Sequence, residues 1–430
     1  MLLATLIFLL FAFVCLGMEI AWAIGAACLG YMVVGLLVSD DTVPFVLVPH
    51  MFLDGVDSFA LLAIPLFIFA GELMSETGVT HRLVRFAQTF VGHIRGGLAN
   101  VAVTSNFIMS GVSGSAIADA AATGTVLIPQ MVRKGYPVRF ASAVVAASST
   151  VGPIIPPSIS FVLLGSIVNL SVGKLFLAGV FPGVLMSLSM FLLTYFIARR
   201  RGYAVEPLAS WNERFAALLS AALPLLAPVI VVRAMSIGLT TPTEAAALLV
   251  VYIILLGFFA YRTLTLHRFL KCASNAALVS SIIMLTVGTA QLFSALSVRE
   301  QFGELLTHGM LAISGNVHVL LLLFNVLLLV LGTFMEPLPL MLVLGPIVFP
   351  LFQGLGVDPI QLGVIFVINV VLGLVTPPVG IILNVVGVIG RVDPMDVFWD
   401  MIPYLAVLTL VLMMVTYWPA LSLWLPSVLM

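Results

Sequence analysis

Charged side chains are scarce in this chain: Asp, Glu, Lys and Arg together make up 8% of its 430 residues. A soluble domain carries about 25% charged residues. Hydrophobic residues make up 62% of the chain, and the mean hydropathy is +1.25. The 17 basic residues do not outnumber the 18 acidic ones, so no basic surface for nucleic acid is expected. The composition excludes a soluble protein and predicts a polytopic protein of the lipid bilayer.

Cysteine and long polar segments are also scarce. The three cysteines, Cys15, Cys28 and Cys272, lie in separate apolar segments without the spacing of a disulfide or metal site. The longest polar stretch, 199–214, is too short to fold by itself, and the sequence contains no GxxxxGK[ST] motif for a nucleotide. These absences argue against a receptor and against an ATP-driven pump.

Ten apolar segments are near the ~20 residues that a helix needs to cross the hydrocarbon layer. The first has no basic start and no clear cleavage site, so we predict a spanning helix there and not a signal peptide. The ten segments are 2–17, 20–38, 59–76, 138–167, 174–198, 215–232, 243–261, 272–298, 362–390 and 402–425. Two longer apolar stretches, 98–131 and 317–352, are broken in the middle. Each is either two crossings or one re-entrant hairpin.

The distribution of charge favours the hairpins. With the N-terminus outside and two hairpins, most of the 17 basic residues fall in inner loops, and only Lys174, Arg233 and Arg299 lie outside. This is the bias of the positive-inside rule. The segment 39–58, with four aspartates and no basic residue, then lies outside. We therefore predict that the first hairpin enters from the cytoplasm and the second from the periplasm, as in an inverted repeat.

The two halves of the sequence also resemble each other. The first contains "SGSAIAD" and later "VGPIIPPS", and the second contains "LGTFMEP" and later "LVTPPVG". In each half a Gly–Ser or Gly–Thr pair precedes an acid, Asp119 or Glu336, and a Pro-Pro pair interrupts the next apolar segment. We therefore predict broken helices over 138–167 and 362–390. The expected fold is an all-α inverted repeat over 1–430, with two opposed re-entrant hairpins and two broken helices.

The breaks themselves suggest a chemistry. A Pro-Pro pair removes two amide donors and ends a helix, and lipid offers no partner to the freed carbonyls. Such a break is tolerated where it is buried in protein or lines a wet cavity. Converging carbonyls and hydroxyls suit Na⁺, and helix N-termini favour an anionic group. Each hairpin break with its Pro-Pro loop is thus a candidate cation site, with a substrate between the two.

Polar side chains in the apolar segments are candidates for contact with that substrate. A carboxylate in a spanning region is costly, so it has a functional or paired role unless it only ends a helix. Asparagines there also hydrogen-bond across helices, and small-residue stretches also serve helix packing. Glu72 receives no role. The candidate substrate residues are Asn106, Ser115, Asp119, Ser158, Glu336 and Asn384.

Several strings resemble the large membrane subunit of the TRAP (tripartite ATP-independent periplasmic) transporters. They are "SGVSGSAIADAAATGTVLIPQMVRKGY", "GPIIPPSISFVLLGS", "KLFLAGVFPG", "TPPVGIILNV", "IPLFIFAGELM" and "RGGLANV". The resemblance covers essentially the whole chain. It implies an elevator-type transporter subunit of a bacterial or archaeal cytoplasmic membrane, which takes up an organic acid such as a C4-dicarboxylate or sialic acid. It also implies coupling to Na⁺ and two partners, a small four-helix membrane subunit and a periplasmic substrate-binding protein.

The resemblance also implies two Na⁺ sites. The first would use Ser110 and Ser113 with the carbonyls of Gly152, Ile155 and Pro157. The second follows from the repeat and would use Gly332, Thr333, Met335, Gly373, Thr376 and Pro378. The family often has Asp near the second break, where this chain has Glu336.

Other classes of protein remain as alternatives. The nearest is a stand-alone Na⁺- or H⁺-coupled carboxylate carrier that needs no binding protein. An intramembrane hydrolase would need a catalytic pair at membrane depth, but the six histidines lie in loops or near segment ends. No second aspartate shares a hairpin with Asp119. A channel would need no opposed hairpins, so we expect a transporter and not an enzyme or a channel.

Overall fold

The computed structural model describes residues 2–38, 43–203 and 205–430, which are mostly helical and contain no β-strand. Eight of the described helices are long and apolar enough to cross a membrane. The predicted all-α polytopic fold is therefore confirmed. Asp40 and Asp41, two of the aspartates of the predicted outer segment, lie outside the described residues.

The helices fall into two halves with an N-terminal group and a central pair. The N-terminal group is α1 (Leu2–Cys15), α2 (Ile20–Val38) and α3 (Leu47–Val56). The first half is α4 (Ala63–Glu76), α5 (Val79–Val91), α6 (Gly97–Ser113), α7 (Ala116–Arg133), α8 (Val138–Ser149), α9 (Ile159–Ile167) and α10 (Val172–Arg201). The central pair is α11 (Trp211–Ser236) and α12 (Pro242–Leu255). The second half is α13 (Leu266–Arg299), α14 (Phe302–Ile313), α15 (Val317–Gly332), α16 (Pro337–Gly354), α17 (Pro359–Gly373), α18 (Ile381–Gly390) and α19 (Pro394–Tyr417), followed by α20 (Ala420–Leu429).

The two halves have the same order of elements. Each begins with a long apolar helix (α4 or α13) and continues with a short helix (α5 or α14). A pair of helices follows, α6–α7 or α15–α16, and then a helix interrupted at a Pro-Pro loop, α8–α9 or α17–α18. Each half closes with another long helix, α10 or α19. The repeated strings of the sequence therefore lie at equivalent places in the two halves.

The two halves interlock through the second helix of each pair. Helix α7 packs against α8 in its own half and against α18 in the other. Helix α16 packs in the same way against α17 and α9. The residues of α17 from Ile360 to Gly373 are all buried, and a helix that is apolar all round needs such an interior position. Helices α7–α9 and α16–α18 thus pack together across the two halves, with α17 in the interior.

The remaining long helices surround this centre. Helix α13, with 34 residues, packs against α2, α3, α4 and α16. Helix α11 exposes many apolar side chains, among them Phe215 and Leu219. Exposed apolar side chains on a spanning helix are compatible with contact with lipid or with another membrane helix.

Three short helices, α3, α5 and α14, are absent from the sequence prediction, because each is shorter than the ~20 residues of the spanning criterion. Helix α5 is amphipathic and buries Leu83 and Val84 beside exposed His81 and Arg85. The predicted segment 402–425 is wrong in its boundaries. Helix α19 ends at Tyr417, and α20 begins after Pro419, because proline has no amide hydrogen to continue the helix.

Candidate functional site

A cavity of about 700 Å³ lies between the two interrupted helix pairs and the surrounding helices α2, α4 and α13. The first interruption contributes residues 113–118, here called the first break, and the start of α16 contributes 336–339. The cavity volume lies within the range of small-molecule binding sites. Its polar lining residues are Glu19, Glu72, Ser75, Thr80, Ser113, Ser115, Ser160, Thr286 and Glu336.

The first break is built by a glycine and a capping serine. Helix α6 ends at Gly114, which has a φ of +61°, a conformation that favours glycine. Ser115 then caps α7, where its Oγ accepts a hydrogen bond from the Ala118 amide at 3.4 Å. A Cβ on Gly114 would lie 2.6 Å from the carbonyl oxygen of Pro157. The break is therefore held directly against the first Pro-Pro loop, and only glycine fits there.

A buried carboxylate lies at the same contact. The Ser113 hydroxyl donates to Asp119 Oδ1 at 2.6 Å, and the Asp119 side chain is fully buried. Asp119 Oδ2 has no hydrogen-bond partner among the described residues. A Cβ built on Gly152 would lie 2.7 Å from that oxygen. An unpaired carboxylate oxygen is costly to bury, so its position beside the loop backbone suits a bound cation.

The first Pro-Pro loop, 150–158, is buried and internally hydrogen-bonded. The Ser158 hydroxyl donates to the carbonyl of Pro153 and accepts from the Phe161 amide at 3.2 Å, which caps α9. The Ser158 hydroxyl thus both donates and accepts a hydrogen bond within the loop and the start of α9. Ser158 does not line the cavity, although the sequence suggested that it faces the cavity.

The second break, residues 333–336 between α15 and α16, is held by close contact between backbones. A Cβ on Gly373 would collide with the backbone of Gly332, at the end of α15. The Val379 amide, in the second Pro-Pro loop, donates to the Thr333 carbonyl at 3.3 Å. The Thr333 and Thr376 hydroxyls each donate to a carbonyl of their own helix at 2.8 Å. The end of α15 is therefore fixed to the second loop, as the first break is to the first loop.

The two loops differ in their exposure. Pro156 and Pro157 are buried, whereas Pro378 and Val379 are exposed. Both Pro-Pro peptide bonds are cis. Asn384 is also exposed, donates to the Val379 carbonyl at 2.9 Å and does not line the cavity. The first Pro-Pro loop is thus enclosed, whereas the second is partly exposed.

Asn106 has a role between helices. Its amide donates to Ser148 Oγ at 2.6 Å and to the Val145 carbonyl at 3.3 Å, and these bonds join α6 to α8. Ser110, one turn later, is buried and donates to the Phe107 carbonyl at 2.6 Å. Neither residue lines the cavity. Asn106 therefore fits the alternative of a hydrogen bond across helices.

The cavity brings together some predicted residues and adds others. Ser113, Ser115 and Glu336 line it, but Asn106, Asp119, Ser158 and Asn384 do not. Two lining acids, Glu19 and Glu72, were not predicted. Glu72 carried a usable signal, because it is a carboxylate inside a predicted spanning segment. Glu19 lies between α1 and α2, where an acid in a connection gives no signal.

A dedicated cage of side chains for a metal is not found in the described part of the chain. No group of three His, Cys, Asp or Glu side chains there could hold a metal ion. Backbone carbonyls and hydroxyls are the more numerous oxygen atoms at either break, and Na⁺ accepts such ligands in broken helices.

Comparisons with known proteins identify the family. The family model "Tripartite ATP-independent periplasmic transporter, DctM component" matches residues 7–421. The sialic acid TRAP transporter large permease protein SiaM of Vibrio cholerae serotype O1 is 40% identical, over 87% of this chain and 88% of its own. The C4-dicarboxylate TRAP transporter large permease protein DctM of Pseudomonas aeruginosa is 38% identical, over 86% and 87%. The 2,3-diketo-L-gulonate TRAP transporter large permease protein YiaN of Escherichia coli K12 is 34% identical, over 97% of both chains.

Solved structures show the same fold. The Alcanivorax borkumensis YdaH transporter aligns with a TM-score of 0.67 and 15% identity, over 89% of both chains. Neisseria gonorrhoeae MtrF aligns with a TM-score of 0.61 and 13% identity, over 92% of this chain and 93% of its own. The relatives in sequence are transporter permeases, which confirms the expectation of a transport protein and not an enzyme. This chain belongs to the DctM-component family of the tripartite ATP-independent periplasmic transporters, as a large, multi-pass permease subunit of the inner membrane.

Proposed function

We propose that this subunit takes up an organic acid in symport with Na⁺. The acid is delivered by a periplasmic binding protein, and a small four-helix membrane subunit completes the complex. The relatives named above are transporters of sialic acid, C4-dicarboxylates and 2,3-diketo-L-gulonate, and all of these are organic acids. The tripartite family to which the chain belongs supports the two partners.

The observation that carries the proposal is the first break beside its Pro-Pro loop. The unpartnered Asp119 Oδ2 lies next to Gly152, and the Ser113 hydroxyl lies on the other carboxylate oxygen. Bound Na⁺ would take oxygen from the Ser110 and Ser113 hydroxyls and from loop carbonyls of Gly152, Ile155 and Pro157. Asp119 would lie behind these ligands without contacting the ion. Its negative charge would stabilise the bound Na⁺, so the loss of that charge would weaken binding.

The sequence repeat supports a second Na⁺ site, because the second break is the equivalent of the first. Its ligands would come from Gly332, Thr333 and Met335 on one side and from Gly373, Thr376 and Pro378 on the other. A sodium ion that moves down the membrane potential gains about 2.3 kcal/mol per 100 mV. Two such ions would therefore accumulate an organic acid steeply inside the cell.

The proposed motion is of the elevator type. Helices α7–α9 and α16–α18 would move together against α2, α4 and α13, because the cavity lies at the boundary between these two groups. The first hairpin enters from the cytoplasm and the second from the periplasm, with a periplasmic N-terminus. Substrate that binds between the breaks on one side is thus released on the other.

Uptake into proteoliposomes tests this function. The vesicles contain this subunit with its small membrane partner, and the binding protein and a panel of organic acids are added outside. We expect uptake that requires both an inward Na⁺ gradient and the binding protein. Uptake with Na⁺ but without the binding protein would favour the stand-alone carrier. Uptake that is indifferent to Na⁺ would overturn the cation sites.

A further inference from the structure

A separate cavity of about 570 Å³, here called the α14 cavity, lies between the end of α13, helix α14 and the second half of α16. Among the described residues, none lines both this cavity and the one beside the first break. Helices α13 and α16 are each long and apolar enough to span a membrane. The α14 cavity lies along the last turns of both, and the ends of spanning helices lie near the lipid headgroups. Its position therefore suits a lipid.

The wall that α16 contributes to the α14 cavity is apolar. It consists mainly of Pro346, Ile347, Pro350, Leu351 and Leu355. Residues 346–355 rise about 14 Å along the helix axis, which is long enough for a segment of an acyl chain. Leu305 and Ile313 on the neighbouring α14 are exposed, and exposed apolar side chains together are typical of a surface that contacts a membrane. This side of the cavity suits hydrocarbon.

The wall that α14 contributes is polar. Gln301, Glu304 and His308 line the cavity and are exposed, and their spacing places them on one face of the helix. Gln301 and His308 offer N–H donors, whereas Glu304 accepts hydrogen bonds. Glu304 belongs to none of the ion pairs among the described residues. The described lining contains no second acid and no Lys or Arg. This wall therefore offers one anion beside neutral donors.

A buried hydroxyl in the α14 cavity has no partner. Ser297, in the last turn of α13, lines the cavity and is 1% exposed. Its Oγ forms no hydrogen bond with any described residue. Thr307, which also lines the cavity, donates to the Gly303 carbonyl at 2.7 Å instead. A buried hydroxyl without a partner is costly, so Ser297 indicates a ligand that brings a hydrogen-bond acceptor into the cavity.

We propose that the α14 cavity binds a phospholipid with a primary ammonium headgroup, of the phosphatidylethanolamine class. An acyl chain lies along α16, and the ammonium donates a charge-assisted hydrogen bond to Glu304. The phosphate accepts hydrogen bonds from Ser297, Gln301 and His308. This site is apart from the first break and does not depend on coupling to Na⁺.

The headgroup chemistry distinguishes this lipid from other phospholipids. Phosphatidylglycerol has no ammonium group, and its net negative charge faces Glu304 with no basic lining residue among those described. Phosphatidylcholine carries a cation, but its quaternary nitrogen has no N–H to donate. Both lipids bring an acyl chain and a phosphate, so a difference between the three lipids reports on the ammonium alone.

Thermal unfolding of the full chain, purified in detergent and freed of lipid, tests the proposal. Phosphatidylethanolamine, phosphatidylcholine, phosphatidylglycerol and the water-soluble headgroup glycerophosphoethanolamine are added to separate samples. We expect phosphatidylethanolamine to raise the melting temperature more than the other two lipids, and the soluble headgroup to have no effect. In Glu304→Gln the apparent affinity for phosphatidylethanolamine should fall about tenfold, as expected for one hydrogen bond to a charged group. Ser297→Ala should lower that affinity as well.

Two glycines of α14 provide a matched pair of variants. A Cβ on Gly303 or on Gly309 meets nothing within 4 Å, but of the two only Gly303 lines the α14 cavity. Gly303→Phe fills space beside the cavity and should abolish the preference for phosphatidylethanolamine, whereas Gly309→Phe should keep it. If Gly303→Phe does not fold, Glu304→Gln and Ser297→Ala decide the outcome.

Three results would overturn the proposal. The first is equal stabilisation by all three lipids, or stabilisation by the soluble headgroup alone. The second is an unchanged preference for phosphatidylethanolamine in both Glu304→Gln and Ser297→Ala. The third concerns the small membrane subunit: assembly that Gly303→Phe blocks, together with no response to any lipid, would assign the cavity to that subunit and not to a phospholipid.

Discussion

The size of Gly152 bears directly on the proposed first cation site. A Cβ at this position would lie 2.7 Å from Asp119 Oδ2 and 3.0 Å from the Ser115 carbonyl carbon. Real Cβ atoms do not approach backbone so closely without displacement of one partner. Even a methyl group therefore separates the first break from the Pro-Pro loop and disturbs the oxygen ligands between them.

We predict that Gly152→Ala lowers Na⁺-dependent uptake at least about tenfold, equivalent to ~1.4 kcal/mol. The amount of protein in the membrane should stay unchanged. The measurement is initial uptake rate in proteoliposomes, normalised to reconstituted protein. Gly309→Ala is the control, because a Cβ at that helical glycine meets nothing within 4 Å. Full uptake by Gly152→Ala would contradict the assigned site.

The charge of Asp119 leads to a separate prediction. Asp119→Asn keeps the shape of the side chain and its contact with Ser113 but removes the negative charge near the cation. We expect the Na⁺ concentration for half-maximal uptake to rise about tenfold, while uptake at saturating Na⁺ is largely retained. Asp54→Asn, an exposed residue of α3, serves as the control. An unchanged Na⁺ dependence in Asp119→Asn would show that this carboxylate does not contribute to cation binding.

The sequence located the breaks but not all of the side chains around them. Gly114 and the Pro-Pro pairs act through the backbone, and this effect depends only on local sequence. The direction of a side chain depends on its neighbours in space. Ser158 caps its own helix and Asn106 bonds to α8, and neither contact is visible in the sequence order. Only the three-dimensional structure shows that Glu72 lines the cavity.

Helices of the second half are joined by a chain of buried amides. Asn369 donates to Asn325 Oδ1 at 2.7 Å, and Asn325 donates to Thr416 Oγ1 at 3.0 Å. These bonds connect α17, α15 and α19 inside the protein. At the end of α15 the backbone of Gly332 then rests against Gly373. The second break is thus fixed by side-chain amides along the helices and by glycine contact at their ends.

We predict that Gly373→Ala destabilises the protein by about 1–3 kcal/mol, the usual cost of overpacking a close contact. The added methyl group forces α15 and α17 apart at Gly332. Thermal unfolding of the purified protein in detergent measures the change. The control is Gly354→Ala at the end of α16, where a Cβ meets nothing within 4 Å. A melting temperature equal to that of the unaltered protein would show that the contact is not tight.

Repetition in the sequence made the shared order of helices in the two halves predictable. Two hairpin candidates and two broken helices follow from the paired strings, and the order of elements is the same in α4–α10 and α13–α19. The short helices α3, α5 and α14 do not follow, because they are not long enough to span. The paired strings also do not predict that the first loop is buried and the second exposed. The two strings are similar, and the difference in exposure arises from packing.

The predicted orientation in the membrane is tested with single cysteines. In a background without Cys15, Cys28 and Cys272, a cysteine at Asp54 should react with a membrane-impermeant reagent added to intact cells. A cysteine at Arg200 should react only after the membrane is opened, because the basic run 199–201 is expected inside. The reverse pattern of labelling would invert the topology and both hairpins with it.

Simultaneous flux of sodium and acid is the most direct test of Na⁺-coupled uptake. Radioactive sodium and a labelled organic acid are followed together into proteoliposomes that contain the complete complex. We predict that the acid accelerates sodium entry in a fixed ratio, and that Gly152→Ala removes this acid-dependent sodium entry. Acid entry without any accompanying sodium entry would contradict the assignment of the two breaks as cation sites.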